Sequence, residues 1–70
     1  MTRERITEIV REAEEQAYGG SRLVPSEGLR LHARHEASTM ALVGASRYTI
    51  FRRALAVFMD DPNLRAGVIG

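Results

Sequence analysis

Seventy residues without a cysteine make one small domain, with no disulfide and no thiolate metal site to staple it. Apolar residues form 44% of the chain, too many for a disordered segment, and no apolar run is long enough to cross a bilayer. The net charge of +1 hides an uneven spread: residues 1–20 carry three arginines against five glutamates, whereas the interval between Ala37 and Met59 holds Arg47, Arg52, Arg53 and no acid.

No secretory h-region is present, so the expected location is the cytoplasm. All ten basic residues are arginine. Codon usage in a GC-rich genome produces that bias without any functional demand. Arginine also suits phosphate and guanine contacts.

The first predicted helix spans residues 2–18. Ile6, Ile9, Val10, Ala13 and Ala17 recur at helical spacing and form one apolar stripe. Thr2 is the expected N-cap, Glu4 sits in the first turn, and Gly19-Gly20 supplies the stop. The stripe is narrow and suits either the rest of the domain or a second copy of the chain.

Residues 21–27 read as a connector, with Leu23 and Val24 packing inward and Pro25 barred from a helix interior. Ser26 can cap the second helix. Residues 27–43 are helical in propensity, as one helix or as two broken at Ser38-Thr39. Residues 44–46 form a turn, with Gly44 free to take the left-handed conformation and Ser46 placed to cap the next helix.

Residues 47–59 read as the strongest helix. Ile50, Phe51, Ala54, Leu55, Val57 and Phe58 share an apolar arc, and Tyr48, Thr49, Arg52, Arg53 and Ala56 share the opposite one. Asp60-Asp61-Pro62 ends it and caps a last short turn through Arg65. The predicted fold is an all-α domain of three to five helices that contains a helix-turn-helix.

Two weaker clusters carry little chemistry. His32, His35 and Glu36 lie on adjacent turns, but no further histidine or cysteine exists to complete a metal shell. Glu8, Glu12 and Glu15 line one side of the first helix among arginines, as a salt-bridged solvated face does. No phosphate-cradling glycine loop follows a strand. No metal, cofactor or enzymatic activity is expected.

The segment from Met40 to Leu55 carries a more specific pattern. Gly44-Ala45-Ser46, then Thr49-Ile50 and Arg52, resembles the Gly-Val-Ser-x-x-Thr-Val-x-Arg string of bacterial lactose-repressor-type and gluconate-repressor-type regulators. The resemblance covers residues 40–55. It implies a recognition helix starting at Ser46 in the major groove of double-stranded DNA. By position, Arg47, Tyr48 and Arg52 would read bases, and Ser46, Thr49 and Arg53 would hold phosphates. The chain departs from the family pattern at Thr39 and Arg53, where apolar packing residues are usual, and at Phe51, where a small or polar one is.

Two functions are expected. The first is a small sequence-specific DNA-binding protein, a repressor or a phage or mobile-element factor, acting as a homodimer. Either the stripe of the first helix or the end formed by Val57, Phe58, Val68 and Ile69 can carry that self-association. The alternative is a small interaction protein that binds a host or partner protein through an apolar helix face, with Ile6, Ile9, Val10, Phe51 and Phe58 as the interface. One contiguous positive face holding Arg34, Arg47, Arg52 and Arg53 favours DNA. Arginines neutralised by Glu12, Glu15 or Glu36 favour the partner.

Overall fold

The computed structural model describes residues 1–66. They form an all-α domain: α1 (Arg3–Tyr18), α2 (Glu27–Leu42), α3 (Arg47–Met59) and one short turn, α4 (Pro62–Arg65). No strand occurs among the described residues.

Each helix starts where a short polar side chain can accept from its first turn. Thr2 accepts from the Arg5 amide at 3.1 Å, Ser26 from Leu29 at 3.1 Å, Ser46 from Thr49 at 3.2 Å and Asp61 from Asn63 at 2.9 Å. A cap of this kind is worth about 1 kcal/mol, because it satisfies an amide that the helix itself leaves unpaired. Residues 27–42 form one helix, not two. The Thr39 hydroxyl donates back to the His35 carbonyl at 3.0 Å, so it is satisfied inside the helix and does not break it.

The two inter-helix stops differ physically. Gly19 has right-handed backbone, with φ −59° and ψ −25°. What it supplies is room, since a Cβ there would lie 2.5 Å from the Glu15 carbonyl oxygen. Gly44 has φ +80°. There the Ala45 amide donates to Met40 and the Gly44 amide to Ala41, at 3.0 and 3.1 Å, which is a Schellman closure of α2. Gly44→Ala should cost about 1–2 kcal/mol, the penalty of a left-handed L-residue. Urea denaturation with an unchanged slope would read it.

The helices run up, down and up. Glu14 meets Arg30, while Thr7 and Val10 lie against Arg34, so α2 is antiparallel to α1. Glu36 meets Arg53, and Leu29 shares a cleft with Val57 and Asp60, so α3 returns alongside α2. The pair separated by Gly44 therefore stays adjacent along its length, as an αα-hairpin does.

The core follows from which side chains face inward. Helix α1 gives Ile6, Ile9, Val10, Ala13 and Tyr18, α2 gives Ala33 and Ala37, and α3 gives Ile50, Ala54 and Phe58. Because α2 offers only alanines, its backbone lies close to its neighbours. Phe58, Ile9 and Ile50 are the largest side chains wholly out of water.

This packing corrects four of the five expected interface residues. Ile6, Ile9, Val10 and Phe58 are buried within the chain's own core and present no seam to a partner. Phe51 is only half-buried and packs on the edge of that core. In the connector, Leu23 packs inward as expected, but Val24 is 69% exposed and the buried neighbour is Pro25. Of the other residues expected to carry self-association, Val57 is half-buried against the core, and Val68 and Ile69 lie outside the described residues. No helix among the described residues is long and apolar enough to cross a membrane.

Candidate functional site

The first turn of α3 is where the sequence places most of the chemistry. Ser46 Oγ accepts from the Thr49 amide and donates to Thr49 Oγ1 at 3.0 Å. The Ser46 hydroxyl thus caps the helix, and Thr49 Oγ1 is the acceptor for its proton. Tyr48 and Arg52, four residues apart, share one outward face, and Tyr48 is 68% exposed. Arg52 has no ion-pair partner among the described residues.

The other two α3 arginines are drawn to neighbouring helices. Arg47 Nη2 donates to both carboxylate oxygens of Glu12 on α1, at 3.1 and 2.9 Å. Arg53 Nη1 lies 3.7 Å from Glu36 on α2, an ion pair beyond hydrogen-bond length. The positive charge of α3 is therefore divided: Arg47 turns toward α1, Arg53 toward α2, and Arg52 alone points outward. His32 and His35 are both exposed, and His32 lines the α2–α3 cleft with Glu36, Arg53 and Asp60.

Exposed apolar side chains lie at the end of the bundle where α1 begins, α2 ends and α3 begins, and of these the sequence reading missed Met1, Leu42 and Val43. Met1, Leu42, Val43 and Tyr48 are 61%, 88%, 73% and 68% exposed there. The Schellman closure ends α2 at this point and leaves Leu42 and Val43 with nothing to pack on. Helical spacing carried a signal for Leu42. At 100° per residue it falls with Leu31, His35 and Ser38, opposite the buried Ala33 and Ala37. Tyr48 joins this end to a patch lined by Glu12, Arg47 and Phe51.

At the opposite end, Tyr18 and Asp61 form a buried polar pair that no local pattern announced. The Tyr18 hydroxyl donates to Asp61 Oδ2 at 2.5 Å, and Oδ1 accepts the α4 cap bond from Asn63. The Tyr18 ring meets Phe58 edge-on, with centroids 5.8 Å apart. Burial pushes the Tyr18 hydroxyl above the usual tyrosine range, and its hydrogen bond to the Asp61 carboxylate adds to the shift.

The neutral phenol is the form the fold holds. Its stabilisation is complete below the unfolded value of about 10 and is lost as pH rises toward the higher folded value. The chain has no lysine or cysteine to add its own titration to this window. Stability of the wild type should fall above about pH 10. Tyr18→Phe should lack this decline, and chemical denaturation across that range would read the difference.

No family model, curated protein or solved structure matches this chain.

Proposed function

We propose that this chain is a small interaction protein that docks on a partner protein through the apolar end of its bundle. Leu42 and Val43 are the anchors, and Tyr48 with half-buried Phe51 extends the contact along α3. One observation carries the reading: Met1, Leu42, Val43 and Tyr48, at the helix termini of that end, are all more than half exposed. Apolar side chains exposed singly are ordinary, whereas a gathered patch marks a contact surface. Tyr48 is of the residue type enriched among the side chains that dominate binding energy at protein interfaces. The pairing of Arg47 with Glu12 and of Arg53 with Glu36 supports the same reading, because it neutralises two of the three cations on α3.

DNA binding through α3 is the second reading. The outward pair Tyr48 and Arg52, left free beside a capped helix start, favours it. Exposed ion pairs are weak, and a phosphate can compete for Arg47 and Arg53. Self-association is a special case of the first reading, with a second copy as the partner.

A photo-crosslinking residue at position 42 in the full chain, with exposed Arg22 as the control site, tests the two together with a gel shift. Under the first reading, position 42 gives a discrete protein adduct and position 22 does not. An adduct of twice the chain mass identifies a second copy, which Leu42→Glu should return to monomer in sedimentation. Absence of any adduct, with salt-dependent duplex retention that Arg52→Ala weakens, transfers the assignment to DNA.

A further inference from the structure

The antiparallel packing of α1 and α2 creates a groove of about 400 Å³ lined by Thr7, Val10, Arg11, Glu14, Arg30 and Arg34. It holds three guanidiniums and one carboxylate. That carboxylate is already engaged: Arg30 donates to both Glu14 oxygens, from Nε at 3.1 Å and from Nη2 at 3.0 Å. Arg11 and Arg34 have no ion-pair partner among the described residues. Two facing helices thus bring two arginines without an ion-pair partner among the described residues to one cleft, leaving it a net positive charge.

We propose that this groove binds a phosphoryl-type oxyanion between Arg11 and Arg34. A guanidinium presents a planar fork of donors that matches two oxygens of a tetrahedral anion, and two forks from opposite walls can grip one such group. Val10, buried in the core, is the apolar side chain that lines the groove. Glu14 keeps the anion away from the Arg30 end of the groove. The Thr7 hydroxyl donates to the Arg3 carbonyl at 3.0 Å, so recognition falls to the two arginines. Selectivity is for a multiply charged oxyanion over chloride. Free phosphate and the phosphodiester backbone of a nucleic acid share this chemistry. The proposal does not depend on the apolar docking surface, which lies at the end of the bundle.

The test is thermal unfolding and amide chemical-shift mapping of the full chain at constant ionic strength, with inorganic phosphate replacing chloride. At twice the dissociation constant the midpoint should rise by about 3–5 °C. The shifts should cluster in residues 7–14 and 30–34. Arg11→Ala and Arg34→Ala should abolish both effects. Arg34→Glu sets a carboxylate in the groove beside Arg11, so in chloride it should unfold no earlier than the wild type, and it should not respond to phosphate. A short DNA duplex that shifts the same residues, and loses the effect in Arg34→Ala, makes backbone phosphate a source. A duplex without effect leaves free phosphate as the source. An unchanged midpoint in phosphate, or an equal rise in the Arg11→Ala/Arg34→Ala double variant, overturns the proposal.

Discussion

Phe58→Ala is expected to remove most of the stability of this domain. Phe58 is the largest wholly buried side chain, and it packs where α3 meets Tyr18 of α1. Truncating a buried phenylalanine costs about 3–5 kcal/mol, from lost transfer energy and from the cavity left behind. A domain of this length has in total about 4–10 kcal/mol. The core has little with which to collapse into the gap, because Ala13, Ala33, Ala37 and Ala54 already bring the helices close. Urea denaturation should therefore show a population largely unfolded at 37 °C. A loss of only about 1 kcal/mol would mean that the helices re-pack around the missing ring, and the central role given to Phe58 would be wrong.

The second large effect is expected at the Tyr18–Asp61 pair. Asp61→Ala strips the Tyr18 hydroxyl of its acceptor in a buried site and removes the cap of α4. An unsatisfied buried hydroxyl costs about 1–3 kcal/mol and a lost cap about 1 more, which predicts about 2–4 kcal/mol. Tyr18→Phe leaves the carboxylate with only the Asn63 amide and should cost about 1.5–3 kcal/mol, as expected for a hydrogen bond to a charged group. The double variant should cost less than the two singles added, with a coupling of about 1–3 kcal/mol. Strict additivity would show that the two side chains do not cooperate in solution.

These two sites differ in how far the linear chain announces them. Phe58 was legible as an apolar arc position, because 3.6-residue periodicity is local and α3 keeps its register throughout. Tyr18 and Asp61 were legible only as the last residue of one helix and the stop of another. Their partnership spans 43 positions and exists because α1 and α3 run parallel and finish at the same end of the bundle.

The candidate surface divides in the same way. Tyr48 and Arg52 were placed together correctly, since their spacing of four sets a common helix face. The resemblance adds Arg47 as a base reader and Arg53 as a phosphate contact, yet each leans toward a different neighbour. Their partners, Glu12 and Glu36, sit on other helices, and no spacing within α3 could reveal them. Leu42 was legible by register, opposite the buried Ala33 and Ala37, whereas Val43 lies past the last residue of α2, where helical register no longer applies.

The helix starts at Thr2, Ser26, Ser46 and Asp61, the left-handed turn at Gly44 and the all-α class were all written in local chemistry. Capping and backbone sterics involve only residues within a few positions of each other. The inward use of the Ile6–Ile9–Val10 stripe, the division of the α3 arginines, the apolar end and the arginine groove were decided by tertiary packing. Each depends on which helix lies beside which and in what direction. That choice is made by the summed burial of faces distant in sequence, chiefly the small alanine face of α2 fitting between α1 and α3.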